Sequence, residues 1–281
     1  MLFSLIISTR GRTSELARLL QSLKTQTLQD FEIIISDQNP DDRLSTLLQD
    51  ADWPGRLTHV KSSAGLSRGR NVGLERATGK ILGFPDDDCA YPPTLLEKVA
   101  AFFEDHPDQG FLSGRSVAED GGDAVSRHAR HAAPIGRKSL HGHFIEFAFF
   151  IRRSSLGSLR FDENMGVGAA TPWHSDEGPD LVLRLMENGV AGYYDPQYAV
   201  WHPRPVSQYD EKAIDRSYRY ACGAGYFLRK HRYPAGRVAW LLAKALAGAL
   251  LGGVSGNGGK ARFYWARLRG TWRGWRQPFN L

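Results

Sequence analysis

Cysteine is nearly missing from this chain: Cys89 and Cys222 are its only two in 281 residues. Two isolated thiols are too few for a disulfide framework or a cysteine-ligated zinc, and they point to a reducing compartment. No Gly-x-Gly-x-x-Gly follows the first apolar run, so a dinucleotide fingerprint is absent. Gly73–Lys80 has the wrong glycine spacing for a P-loop. Ile81 stands where that loop needs Ser or Thr, and a strand follows where it needs a helix. The opening M-L-F-S-L-I-I-S-T has no basic leader and runs straight into a strand-like segment, so no signal peptide is expected there. Acidic residues are missing from one end only. Residues 216–281 hold thirteen Lys or Arg and no Asp or Glu. The other 215 residues hold the remaining 23 basic and all 30 acidic ones, a net of −7. An acidic body with a basic tail implies different partners for each.

The body alternates. Leu2–Ser8 reads as a buried strand, and Thr13 or Ser14 can cap a helix whose Leu16, Leu19, Leu20 and Leu23 recur at helical spacing. Phe31–Ser36 predicts a second strand, ending at Asp37. A helix over Leu44–Asp50, a weaker strand at Leu57–Lys61, a helix over Ser67–Ala77 and a strand at Lys80–Phe84 follow. Such alternation implies a largely parallel sheet covered on both faces. After Pro92 a helix is expected to about Glu104, then strands at Gly110–Val117 and Phe144–Ile151. Between these strands 119–142 shows no periodicity and reads as a loop of the kind that is functional or disordered. Gly166–Asp176 is rich in Gly and Ala, and Pro179–Asn188 is a compact helix stopped by Gly189. Tyr193–Tyr194 and Tyr198–Trp201 are short strands, and from about Ser207 the chain is mostly helical.

Chemistry gathers where the strands end. Ile81–Phe84 leads directly into Asp86, Asp87 and Asp88. Adjacent like charges are unfavourable unless a cation holds them, and hard divalent cations prefer oxygen ligands. A solvated acidic turn before the Pro92 helix would use the same residues. Ligands of open α/β sheets collect outside the carboxyl ends of strands, so Ser8, Thr9, Asp37 and Asp86 are expected around one crevice.

Five stretches stand in order: I-I-S-T-R-G-R at 6–12, I-I-S-D at 34–37, G-L-S-R-G-R-N-V-G at 65–73, F-P-D-D-D-C at 84–89 and D-E-G-P-D-L-V-L-R-L at 176–185. Together, over about residues 3–203, they resemble a family 2 glycosyltransferase of the GT-A fold. The resemblance implies an α/β, mainly parallel sheet with helices on both faces, plus a helical basic C-terminal region. It implies a catalytic domain at 1–206, with a nucleotide half at about 1–90 and an acceptor half at about 91–206, and a tail at 207–281. The reaction it implies is inverting transfer from a nucleotide-diphosphate sugar, UDP- or dTDP-linked, to a hydroxyl of a glycan or lipid-linked saccharide. Such work belongs to polysaccharide or cell-envelope biosynthesis.

The same resemblance assigns roles. Ser8, Thr9, Arg10 and Asp37 would hold the nucleotide base; a carboxylate can accept from a uracil or thymine N3–H. Arg68, Arg70 and Asn71 would face the diphosphate, as suits a forked, permanently charged guanidinium. Gly69 stands where relatives usually have Ala, a change expected to matter little. Asp86 and Asp88, with Asp87 between them, map to the D-x-D element that holds Mn2+ or Mg2+ between the phosphates. Asp86 and Asp87 would also line the nucleotide. His202, in V-W-H-P, matches a histidine that can reach the metal or diphosphate, although a lone His is often structural. Glu177 is assigned as general base with Asp176 as substitute, since Gly178 fills the second acidic position of the family pair. Acidic residues at a helix start also favour the helix dipole without any catalytic role. The stretches 119–142 and 166–172 would shape the acceptor pocket.

The tail reads separately. Val238–Val254 is apolar over 17 residues but includes Lys244, short of the about 20 a span needs. Ala261–Arg276 places Phe263, Tyr264, Trp265, Trp272 and Trp275 among Arg residues, the composition of an interfacial helix on an anionic membrane surface. That places the chain in the cytoplasm, peripheral on the cytoplasmic face. A helical cover on the catalytic domain would use the same residues. Nucleic acid is not expected, because it leaves the acidic body and the Asp triplet unexplained. Two other classes stay open: a sugar-1-phosphate nucleotidyltransferase, which should carry a Gly-rich signature near the first strand, and a non-catalytic lipid- or polysaccharide-binding module.

Overall fold

Among the described residues eight strands form one sheet, and the apolar runs at Phe3–Thr9, Phe31–Asp37 and Ile81–Gly83 are its most buried strands. In the computed structural model the eight are β1 (Phe3–Thr9), β2 (Phe31–Asp37), β3 (Arg56–Lys61), β4 (Ile81–Gly83), β5 (Phe111–Val117), β6 (Ala133–Pro134), β7 (Phe149–Arg152) and β8 (Gly192–Trp201). The structure describes residues 1–49, 53, 55–204 and 208–277. The sheet order is β3-β2-β1-β4-β7-β5-β8-β6. β2 is buried at every position: Phe31 and Ile33–Ile35 suit a strand covered on both faces, and the buried Glu32 accepts from Ser4 at 2.6 Å and Thr78 at 2.7 Å. β1 pairs in parallel with β2 and β4, β2 with β3, and β5 with β8, while β7 runs antiparallel to both β4 and β5. The register sets Thr9 beside Asp37 and Asp37 beside Lys61, so three strand ends align at one edge.

The chain divides into two compact units. The first comprises Met1–Ala64, Arg68–Phe161 and Leu181–Pro205, and holds the whole sheet. Its core is one cluster that joins Leu16, Leu19, Leu20 and Leu23 of α1 (Ser14–Lys24) and Leu95, Leu96, Val99 and Phe103 of α4 (Leu95–Asp105) with apolar residues of β1 and β2. The helix expected at Leu44–Asp50 is the single turn α2 (Ser45–Leu48), and its expected end, Asp50, lies outside the described residues. Helix α3 (Leu66–Arg76) follows β3.

Two expectations change here. The two short strands at Tyr193–Tyr194 and Tyr198–Trp201 are one strand, β8, whose register against β5 shifts between Ser113 and Arg115. Pro196 falls inside that irregularity, where no ladder hydrogen bond is required of it. Residues 119–142 carry β6 and the short helix α5 (Leu140–His143). The loop is anchored by the buried His128, whose Nε2 lies 3.0 Å from Ser116 Oγ, and by Asp123, which gathers Arg115 and Arg130. A one-turn helix, α6 (Arg153–Leu156), follows β7.

The second unit comprises Gly65–Ser67, Asp162–Asp180 and Val206–Leu281. The expected domain boundary at 206–207 falls outside the described residues. Helix α7 (Glu177–Glu187) starts two residues before the predicted Pro179, and its residues to Asp180 belong to this unit while those from Leu181 belong to the first. Three long helices follow: α8 (Glu211–Lys230), α9 (Ala235–Val254) and α10 (Gly258–Trp275). Asp210 and Asn257 cap α8 and α10 by accepting from the Ala213 and Lys260 backbone N–H. At Gly274 the α10 backbone rests directly on the α8 carbonyl of Cys222, a contact that no larger residue allows. A buried ionic cluster ties α8 down: Lys230 Nζ lies 2.6 Å from both Asp162 and Asp180, and His231 Nε2 lies 2.9 Å from Asp180.

Candidate active site

The carboxyl-terminal edge of the sheet in the first unit collects the charged residues. β4 ends at Gly83, and Phe84 anchors the following turn between the rings of Phe149 and Phe161. Asp86, Asp87 and Asp88 then diverge. Asp87 and Asp88 are buried and share Arg12, whose Nη1 lies 2.5 Å from Asp87 and 2.7 Å from Asp88. Asp86 turns to Arg70, 3.2 Å away, on α3. Arg70 is 2% exposed, lies 3.9 Å from Glu146 and faces the Phe161 ring at 5.2 Å.

His202, just beyond β8, completes the group. Its ring stacks on Phe147 at 4.7 Å, its Nδ1 lies 2.7 Å from the Pro203 carbonyl, and its Nε2 lies 3.2 Å from Asp88. A backbone carbonyl on Nδ1 fixes the tautomer that presents Nε2 as a ligand. One ligand atom each from Asp86, Asp88 and His202 lies within 4.8 Å of the others. Two carboxylates and an imidazole suit Mn2+, and the carboxylates alone suit Mg2+.

Burial and neighbouring charge move these carboxyls in different directions. Burial, with Glu146 and Asp88 nearby, lifts the Asp86 carboxyl to about 6 against the pull of Arg70. Burial also raises Asp87, and Arg12 only partly offsets it. Asp88 ends below its ordinary value because the His202 hydrogen bond and charge, with Arg12, outweigh its burial. The same pairing raises His202 despite its burial.

At the neighbouring strand ends, Asp37 is fully buried and saturated. Asn39 donates to Oδ1 from its backbone N at 2.8 Å and its side chain at 2.7 Å. His59 and Lys61 meet Oδ2 at 2.9 and 3.0 Å. Burial would raise this carboxyl, but these bonds outweigh it and hold it below the ordinary value. Asn39 Oδ1 in turn accepts from Gly11 N at 2.6 Å, so Asp37 braces the turn that carries Arg12. Ser8 Oγ is buried without a hydrogen-bond partner among the described residues, Thr9 is 2% exposed, and Arg10 and Arg68 are exposed.

Two residues make contacts that the sequence did not suggest. Asn71, expected at the diphosphate, engages both ends of its amide with the Phe161 backbone at 3.0 and 2.9 Å. It therefore sets the ring on which Arg70 rests. Gly69 is not interchangeable with Ala: a Cβ there would lie 2.5 Å from Ser8 Oγ and 2.6 Å from Gln38 Nε2. Arg12 and Glu146 escaped the sequence reading. Three adjacent carboxylates did call for a cation, and R-G-R at a strand end was a source for it.

The second unit holds the other carboxylates. Asp176 has a left-handed φ of +64°, and Ser175 Oγ donates to its carboxylate at 2.6 Å. Glu177 is 4% exposed and packs its carboxyl against Gly166, which itself has φ +97°. A Cβ at 166 would lie 3.1 Å from the Glu177 Cδ and 3.0 Å from Ser67 Oγ, so glycine is required for both conformation and space.

Residues 4–165 match the model of the family described as Glycosyl transferase family 2. An uncharacterized glycosyltransferase of Haemophilus influenzae is 32% identical over 187 residues, covering 66% of this chain and 62% of its own. The minor teichoic acid biosynthesis protein GgaB of Bacillus subtilis is 26% identical over 180 residues, covering 59% of this chain and 20% of its own. The chain thus spans about three fifths and one fifth of the length of these relatives. Among solved structures, S. aureus TarS 1-349 in complex with UDP-GlcNAc superposes with a TM-score of 0.62 at 16% identity, covering 93% of this chain and 90% of that one. At that identity the likeness establishes a shared fold.

Proposed function

This chain belongs to glycosyl transferase family 2, and we propose that it transfers a hexosyl-type sugar from a nucleoside diphosphate sugar to a saccharide or lipid-linked hydroxyl. The observation that carries the proposal is the convergence of Asp86, Asp88 and His202 within 4.8 Å at the strand ends, with Arg12 and Arg70 bracing the carboxylates. A uridine donor is favoured by the TarS complex with UDP-GlcNAc, and an envelope polymer by the teichoic acid relative. Nucleotide sugars and lipid-linked acceptors meet at the cytoplasmic face of the membrane, where we place the chain. The catalytic region is 1–206 and the tail 207–281.

The base lies at the ends of β1 and β2, against Ser8, Thr9, Arg10 and Asp37. Because four donors already occupy Asp37, the base N3–H replaces the half-exposed Lys61 ammonium on Oδ2. Arg10 and Arg68, both exposed, bind the phosphates. Asp87 lines the nucleotide through Arg12, and Asn71 and Arg70 act through Phe161 and Asp86. A divalent cation, Mn2+ or Mg2+, held by Asp86, Asp88 and His202, would neutralise the departing diphosphate. Glu177 takes the acceptor hydroxyl proton as the new bond to the anomeric carbon forms. The bond to phosphate breaks on the opposite side, and configuration inverts. Asp176, bonded to Ser175, is the alternative base.

The test is a panel of nucleotide sugars assayed for metal-dependent release of nucleoside diphosphate, with Asp88→Ala as control. Transfer from one donor that needs Mn2+ or Mg2+ and is lost in Asp88→Ala supports the reading. Full activity in Asp88→Ala, or turnover in chelator, would remove the metal assignment.

A further inference from the structure

Helix α9 carries an apolar face that the described residues of its unit leave bare. Trp240, Leu246, Leu250, Leu251 and Val254 are 54, 43, 62, 63 and 90% exposed. Val238, Ala245 and Gly252 form the buried seam on the other side. At 3.6 residues per turn the five exposed side chains share one arc of about 140°, in which only Ala and Gly accompany them. One margin of this arc carries cations: Arg237 and Lys244 sit over the Trp240 ring at 5.6 and 5.2 Å. On α10, Trp265 and Trp272 are half exposed, with Arg276 over Trp272 at 5.5 Å.

The charge selects the occupant. Arg237 and Lys244 edge this arc and residues 216–281 hold no Asp or Glu, so a second copy on this face would bring like charges together, whereas an anionic lipid surface attracts them. Trp beside Lys and Arg is the composition of the headgroup zone. A span fits poorly. Lys244 would sit at mid-membrane, and Gly252 of α9 rests on the α10 backbone at Ala261, so the five cations of α10 would follow it in. We infer that α9 lies in the plane of an anionic membrane surface, with Trp240, Leu246, Leu250, Leu251 and Val254 inserted and Arg237 and Lys244 at the headgroups. None of these residues belongs to the site around Asp88, so this docking and the transfer reaction stand or fail independently.

The test is flotation of the full chain with phosphatidylcholine vesicles, with and without phosphatidylglycerol, at low and high salt. Binding should need the anionic lipid and weaken with salt. Each surface cation is worth roughly fivefold, so Arg237→Gln with Lys244→Gln should lower partitioning roughly 25-fold at low salt. Leu250→Asp with Leu251→Asp should lower it roughly tenfold or more at both salts, with Tm unchanged because both side chains are exposed. Fluorophores on Gly236→Cys or Val254→Cys, both on the inserted face, should be shielded to the same extent from an impermeant quencher outside sealed vesicles, the native Cys89 and Cys222 being buried. Equal binding to neutral vesicles, wild-type binding by the Leu variant, or protection of one label alone would overturn the inference. So would a Leu variant that dissolves a solution dimer yet binds vesicles normally.

Discussion

Asn71 bridges the backbone of Phe161, donating to its carbonyl at 3.0 Å and accepting its N–H at 2.9 Å across ninety residues of sequence. Both groups are buried, and Asn71→Ala leaves each without a partner, at about 1–3 kcal/mol apiece. The expected result is a lower urea midpoint together with reduced kcat/KM, because Arg70 loses its ring support. A variant of unchanged stability but weakened donor binding would return Asn71 to the diphosphate.

Arg12 holds Asp87 and Asp88 while staying 43% exposed. Partners that orient a ligating carboxylate typically matter by roughly 10–100-fold in metal affinity or activity. Arg12→Ala should therefore reduce donor kcat/KM by that order, with Arg12→Lys recovering part of it. Equal activity in Arg12→Ala and wild type would make the pair a surface contact.

Glu177→Gln keeps shape and hydrogen bonding but cannot accept a proton, so kcat should fall roughly 10²-fold or more. Donor affinity, read by titration calorimetry, should barely change. If Asp176→Asn is the dead variant and Glu177→Gln turns over normally, the assignment moves by one residue.

Gly69→Ala gains helix propensity of about 1 kcal/mol in α3, but it pushes a methyl onto Ser8 Oγ and Gln38, an overpacking of about 1–3 kcal/mol. Gln38 can swing aside; Ser8, held near the end of β1 by its ladder, can only rotate. A net loss of stability and of donor affinity is expected, with Ser8→Ala restoring stability in the double variant. Thermal melts of the four proteins give the coupling directly.

The Asp37 carboxyl lies below its ordinary value in the folded chain. It binds fewer protons folded than unfolded, so its stabilisation is present above the ordinary carboxyl range and is lost as pH falls through the lowered folded value. Asp37→Asn should be clearly less stable at neutral pH, and the gap should close in acid. Urea midpoints across that range report it; a gap independent of pH would mean that the bonds from Asn39 and Lys61 contribute nothing through charge.

What the sequence determined is what local chemistry encodes. Leucines at helical spacing placed α1, and unbroken Ile and Phe runs placed β1 and β2, because burial on both faces leaves no polar alternation. Asp86 was legible because strand ends of an alternating α/β chain share one edge, whereas Asp88 and His202 were named by the family resemblance, and the fold brings ligand atoms of all three within 4.8 Å. Tertiary structure decided which partner each charge found. Arg12 and Asp87 are 75 residues apart, and Asp180 and His231 are 51 apart. No periodicity carries such distances; they follow from how each compact unit folds on itself. The same packing turned Asn71 toward Phe161 and closed the space at Gly69, since a side chain's direction depends on which neighbours fill the volume around it.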